Sequence, residues 1–125
     1  MSHVLIEATG AGRDAVADRA TAEALIAAVV DAAELTPVAP ITVVEFPASA
    51  RHPYAGVTAF QVLGESHVAY HSFAEKAGGA FALDVYTCVR DRDLTQDVVA
   101  AVRRVFGDDV LVDARALPRT IRCDE

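Results

Sequence analysis

Gly56-Val57-Thr58-Ala59-Phe60-Gln61-Val62-Leu63, then Gly64-Glu65, then Ser66-His67-Val68-Ala69-Tyr70-His71-Ser72 is the run whose reading decides the fold. Val, Phe and Tyr enrich residues 56–63 and 67–72, and Gly64 punctuates them, so both read as strands. Strand candidates 41–46 and 80–87 flank this pair, set off by Pro47, Pro53, Gly78 and Gly79. No helical period interrupts the run from 41 to 87. Strands that follow one another without crossover helices point to an antiparallel sheet.

Outward from this run, helical signals stand on both sides. Towards the N-terminus, residues 3–8 read as a first strand, and Gly10, Gly12 and Asp14 open a loop. A helix is expected from about Asp18 to Leu35, because Ala22, Leu25, Ile26, Val29, Val30 and Ala33 recur at helical spacing. Asp18 or Thr21 supplies its N-cap, and Pro37 and Pro40 end the segment. Towards the C-terminus, a second helix starts near Asp93, where Asp93 and Gln96 have the spacing of a capping box. Val98, Val102, Val105 and Phe106 give it an apolar face, Gly107 stops it, and 109–116 form a last strand. The order β-α-β-β-β-β-α-β predicts an α+β fold: a two-layer sandwich with a mainly antiparallel sheet and two helices on one face.

The 125 residues fit a single domain, 1–125, and 53% hydrophobic residues exclude a disordered chain. The longest apolar stretch, Ala22 to Ala33, is broken by Glu23 and Asp31 and is too short for a bilayer span of ~20 residues. Met1 to Glu7 lacks the basic and apolar regions of a signal peptide, so a cytoplasmic location and no membrane partner are expected. Eleven basic against 18 acidic residues give a net charge of −7, which argues against a nucleic-acid surface. Cys88 and Cys123 have no zinc-finger or CxxC spacing and read as free thiols.

Taken singly, the chemically able residues of the central run are ordinary. A serine at a strand start commonly bonds nearby backbone, and a strand histidine commonly serves as a structural hydrogen-bonding group. His67 and His71 share a strand face, but their Cα atoms lie roughly 13 Å apart at about 3.3 Å per residue. One metal ion is therefore not expected to bind both, and no metal site is assigned.

In combination these residues say more. Glu65-Ser66-His67 followed by His71, and then Asp84-Val85-Tyr86-Thr87-Cys88, resembles the small bacterial and archaeal S-adenosylmethionine decarboxylase proenzymes. That family has an ESHxxxH strand and a later strand ending in D-[IV]-[FY]-T-C. Gly56-Val57-Thr58 is similar to its G-V-S segment, and His3-Val4-Leu5-Ile6-Glu7 to its opening strand. The resemblance covers nearly the whole chain. It implies self-cleavage between Glu65 and Ser66, giving a β chain, 1–65, and an α chain, 66–125. Ser66 then becomes a pyruvoyl group, the cofactor, which forms a Schiff base with the substrate amine. His71 is the implied base of processing, Thr58 its helper in place of the family serine, and Cys88 the proton donor in decarboxylation.

The resemblance also implies the substrate, S-adenosylmethionine, with a role in spermidine synthesis, and a homodimer of processed protomers. Phe73 and Glu75 stand in a segment, His71-Ser72-Phe73-Ala74-Glu75, similar to the family's H-T-W-P-E, where they would stack on the adenine and bind ribose hydroxyls. Tyr54, His52 and Glu7 are further substrate-binding candidates, and sulfonium binding favours aromatic faces. The chain departs from the family at Ala74, at a two-residue insertion within Lys76-Ala77-Gly78-Gly79, and at Val89 after Cys88. These departures touch the substrate pocket, so ornithine or arginine decarboxylation on the same scaffold is the alternative activity. An unprocessed, non-catalytic binding or regulatory subunit is the alternative of another kind.

Overall fold

In the computed structural model, residues 2–89 and 92–121 are described. Cys123, read above as a free thiol, lies outside them. Among the described residues the elements are β1 (Ser2–Thr9), α1 (Arg13–Val16), α2 (Arg19–Ala32), β2 (Thr42–Phe46), β3 (Gly56–Leu63), β4 (Ser66–Phe73), β5 (Ala80–Thr87), α3 (Thr95–Phe106) and β6 (Leu111–Ala116). The strands form one sheet in the order β2-β3-β4-β5-β1-β6, and every neighbouring pair is antiparallel. The expected α+β architecture is borne out. The short α1, preceded by Gly10 and Gly12 and lacking a full apolar period, is an addition to the expected order.

Alternation along the strands separates two faces. Val57, Ala59 and Leu63 of β3, Val68 and Tyr70 of β4, Phe81, Leu83 and Val85 of β5, and Val4, Ile6 and Ala8 of β1 are buried. They pack with Ala22, Leu25, Ile26 and Val29 of α2 and Val98, Ala101 and Val102 of α3. Tyr70 spans the layers, its hydroxyl donating to the Val16 carbonyl at 2.7 Å. On the opposite face stand His3, Tyr86, His67, His71, Thr58, Phe60 and Val62, placed there by the register. No helix covers that face among the described residues. Phe60, Val62 and Val44 are 38%, 42% and 56% exposed on it and give it an apolar character.

The helix ends depart from expectation for local reasons. The helix α2 stops at Ala32, not Leu35, because the chain turns there without help from proline. Glu34 adopts positive φ (54°), Glu34 N–H donates to the Asp31 carbonyl, and Leu35 N–H donates to the Val30 carbonyl at 2.9 Å. This is a Schellman stop, with Leu35 as its buried apolar residue. Asp18 caps the helix start, accepting from Thr21 N–H. At α3 the capping box is not formed. Asp93 instead accepts from Thr95 N–H and hydroxyl at 2.9 and 2.6 Å, since Thr95 offers two donors nearer than Gln96.

Ala77, Gly78 and Gly79, in the turn between β4 and β5, have a structural task. Gly10, Ala11 and Gly12 N–H donate to the carbonyls of Ala77, Gly79 and Gly78 at 2.9 to 3.0 Å, tying the β4–β5 hairpin to the loop after β1. A Cβ on Gly79 would come within 2.4 Å of the Gly12 carbonyl carbon, so the approach requires glycine. No helix among the described residues is long and apolar enough to cross a membrane.

Candidate active site

Ser66 opens β4 in an unusual backbone state. A two-residue turn between strands commonly takes positive φ at its centre, and glycine supplies it. Here neither Gly64 nor Glu65 does so; Ser66, the next residue, has φ 141°. A serine held there stores strain of about 1–3 kcal/mol, and the surroundings must enforce it. They do so through the residue before it. The Glu65 carbonyl accepts the Cys88 backbone N–H at 2.9 Å. Cys88 follows Thr87, the Cα partner of Ser66. Thr87 is buried and its hydroxyl accepts Val89 N–H at 3.3 Å, turning the chain just past Cys88. The Cys88 thiol is half-buried and not in a disulfide among the described residues. Glu65, Ser66 and Cys88 therefore form one cluster at one end of the sheet.

Thr58 and His71 form a second cluster. They are register partners on β3 and β4, and Thr58 Oγ1 lies 3.3 Å from His71 Nδ1. The remaining predicted residues gather beside them. His52, Tyr54, Phe73 and Glu75 line one pocket of about 200 Å³ with Phe46, Ala55, Gly56, Ser72 and Ala74. The Phe46 ring lies against the backbone of Gly56, where a Cβ would meet it at 2.2 Å. Arg13 sits 5.7 Å from the centroid of Tyr54. Ligand pockets run from roughly 300 Å³ upward, so this one suits a single ring rather than a whole nucleoside. Glu7 does not join that pocket. It lines a neighbouring depression of about 390 Å³, which shares the Phe73 side chain.

The two clusters do not meet within one chain. Ser66 and His71 are separated along β4 by roughly 17 Å at about 3.3 Å per residue. In a single chain the strand itself holds His71 and Ser66 apart. His71, Phe73 and Glu75 are exposed at that end of the strand.

A further network adjoins Ser66. Arg119 contacts His3 Nδ1 at 2.7 Å, and His3 Nε2 contacts Asp84 Oδ1 at 2.6 Å. A guanidinium only donates, so His3 accepts at Nδ1 and donates from Nε2. The other Asp84 oxygen lies 3.7 Å from His67 Nε2. The His67 ring stacks between Phe60 and Tyr86, with centroids 5.4 and 5.6 Å away, and Arg119 covers Tyr86 at 3.6 Å. Asp84, His67 and His3 stood in the motifs, but their meeting depends on the order β4-β5-β1, which spacing alone does not reveal. Among the described residues no group of three such side chains is arranged to hold a metal ion.

The geometry can be set beside known proteins. A family model described as S-adenosylmethionine decarboxylase matches residues 2–119. Among solved structures, the chain is similar to the adenosylmethionine decarboxylase from Aquifex aeolicus VF5, with a TM-score of 0.74 and 24% identity over 99% of this chain and 93% of that one. No curated protein matches.

Proposed function

The chain belongs to the S-adenosylmethionine decarboxylase family, and from that premise we propose that it is a pyruvoyl-dependent S-adenosylmethionine decarboxylase that makes its cofactor from Ser66. The observation that carries the reading is the backbone at Glu65-Ser66: Ser66 at φ 141°, with the Glu65 carbonyl bound by Cys88 N–H at 2.9 Å. Self-processing begins when Ser66 Oγ attacks that carbonyl carbon. The C–O bond forms, the Glu65–Ser66 C–N bond breaks, and the proton passes to the Ser66 nitrogen. Charge develops on the carbonyl oxygen during this step, and an N–H already aimed at it stabilises that charge without reorganisation.

The ester is then opened by elimination. A base takes the Ser66 Cα proton, the Cβ–Oγ bond breaks, and Glu65 leaves as a new carboxylate. The dehydroalanine tautomerises to an imine, and water releases ammonia to leave the pyruvoyl carbonyl. Once formed, that carbonyl supplies the electron sink for decarboxylation. Cys88, adjoining Ser66, is the group suited to return a proton to the product, since its thiol carries one and its backbone N–H is already on the Glu65 carbonyl.

The base is His71, whose imidazole nitrogen can accept and return a proton. It reaches Ser66 only across a homodimer. A two-fold axis lying along the open face, at right angles to β4, runs the two strands in opposite directions, setting Ser66 and Cys88 of one chain against Thr58 and His71 of the partner subunit. The exposed Val44, Phe60 and Val62 favour this arrangement, because the same contact would bury them. The pocket of Phe73, Tyr54, His52 and Glu75 travels with His71. Its aromatic faces suit the adenine ring of the substrate, the size of ring the pocket admits, and the Glu75 carboxylate suits the ribose hydroxyls beside it. The product, decarboxylated S-adenosylmethionine, is the aminopropyl donor for spermidine synthesis.

Intact-mass measurement tests the reading. Two fragments, 1–65 and 66–125, are expected, the second lacking the Ser66 amine, together with carbon dioxide release from S-adenosylmethionine. A persistently single chain, or faster release from ornithine or arginine, sinks it.

A further inference from the structure

Thr36 lies outside every motif above, just past the C-terminus of α2, yet it grips the residue on the N-terminal side of the strained serine. Its backbone N–H donates to Glu65 Oε1 at 2.9 Å, and its hydroxyl donates to Glu65 Oε2 at 3.0 Å. Its carbonyl accepts Gly64 N–H at 2.8 Å. Thr36 is itself fixed. The Schellman stop places it immediately after Leu35, Pro37 bridges to Leu63, and Val38 N–H donates to the Val62 carbonyl at 3.2 Å.

We propose that Thr36 is a positioning residue for self-processing, which acts through the Glu65 side chain to hold the Glu65–Ser66 peptide in the shape that the acyl shift needs. The inference rests on the processing reading above and assigns it a residue that reading does not contain. Glu65 is held at both ends, its carboxylate by Thr36 and its carbonyl by Cys88 N–H. Rotation of the residue would need both holds to release. With both held, relaxation of Ser66 out of positive φ has to come from Ser66 alone. The Glu65 carboxylate, with one oxygen on each Thr36 donor, serves as an anchor rather than as a proton carrier for Ser66 Oγ. Thr36 is exposed, so its contacts count by geometry more than by burial. None of the bonds made or broken in processing belongs to this contact. The same grip therefore keeps the new C-terminus of 1–65 beside the residue formed from Ser66.

A time course of cleavage in freshly synthesised full-length chain tests the proposal. Thr36→Val removes the hydroxyl donor at nearly constant shape and is expected to slow the appearance of 66–125 roughly 10-fold, the scale of one charge-assisted hydrogen bond. Thr36→Ser keeps that donor and restores the original rate. Glu65→Gln, which replaces one acceptor by a donor facing a donor, slows cleavage as well and serves if Thr36→Val does not fold. Hydroxylamine, which cleaves an accumulated ester, is expected to leave the slow Thr36→Val chain uncleaved, because the block lies before the ester. Cleavage of Thr36→Val and Glu65→Gln at the original rate overturns the proposal, as does Thr36→Ser as slow as Thr36→Val. An unaltered chain that never cleaves overturns the processing reading itself, a different outcome from either.

Discussion

The two ends of β4 are built to opposite rules. At the Ser66 end the chain is tied down on every side. Glu65 is bound by Thr36 and Cys88, and His67 is stacked between Phe60 and Tyr86 beside the His3–Asp84 pair. At the other end His71, Phe73 and Glu75 are exposed, and the direct link at His71 is the 3.3 Å approach of Thr58. The difference fits the two kinds of chemistry proposed for these ends. A reaction of the backbone with itself needs its peptide pre-shaped, since nothing arrives to shape it. Groups that act on another chain or on a substrate must stay open until the other party comes.

The strongest way to break this comparison is to remove the reacting hydroxyl. Ser66→Ala is expected to leave one intact chain with no decarboxylase activity, read by intact mass and carbon dioxide release. The tied end would then be present in full and chemically silent. If the protein still decarboxylated S-adenosylmethionine, the elaborate hold on Glu65 would need another purpose.

Next in size is His71→Ala. Loss of a positioned base costs typically 10²–10⁴-fold, so cleavage is expected to slow by about that factor. The block falls after the acyl shift, so hydroxylamine should cleave the stalled ester at Glu65. Co-expression sharpens the comparison further. In a mixed dimer of Ser66→Ala and His71→Ala chains, one site keeps both Ser66 and His71. The His71→Ala chain is therefore expected to be cleaved in the mixture and to stall alone. Failure of the mixture to cleave would remove the two-fold pairing and leave the 17 Å gap, roughly five strand steps, unbridged.

Phe73→Ala touches the open end alone. Loss of one stacking face for a base is worth about 1–3 kcal/mol, so KM for S-adenosylmethionine should rise roughly 10-fold or more. The cleavage time course should be unchanged, because no substrate is present during processing. Equal slowing of cleavage would mean that Phe73 shapes the strand rather than the pocket.

The same contrast explains what the sequence discloses. The α2 face from Ala22 to Ala33 and the run of strands from 41 to 87 are local patterns, each set by periodicity, and they emerge as read. Thr58 and His71, or Phe73 and Glu75, also meet through one hairpin, so proximity in sequence foretells proximity in space. The Ser66 end is held by long-range contacts. Thr36 and Glu65 are 29 positions apart and His3 and Asp84 are 81 apart, and no window of sequence contains either pair. Likewise the positive φ falls on Ser66 and not on Gly64, which no local pattern announces. The hidden fact of greatest consequence is negative: a strand reading puts Ser66 and His71 on one element without saying that the element keeps them apart.

Asp18→Ala is the smallest perturbation, and it tests whether the two ends differ in chemistry or merely in stability. Asp18 caps α2 near the midpoint of β4, where Tyr70 donates to the Val16 carbonyl. Burial, with the Asp18 charge second, pushes the Tyr70 phenol well above its usual range, so it stays a donor throughout. The Asp18 carboxyl is itself held below the ordinary carboxylate range by its hydrogen bonds from the Thr21 hydroxyl and N–H. A carboxyl depressed on folding stabilises the fold above its unfolded pKa of about 3.9, and that stabilisation fades as pH falls through the lower folded value. Asp18→Ala should accordingly lower the melting temperature by roughly 3–6 °C at neutral pH, with the gap to the unaltered protein closing below about pH 4. Cleavage rate and KM, both measured well below the melting point, should not move. If either moved with the melting temperature, the contrast between the ends would reduce to a gradient of stability along one strand, and the effects of His71→Ala and Phe73→Ala would have to be read again in that light.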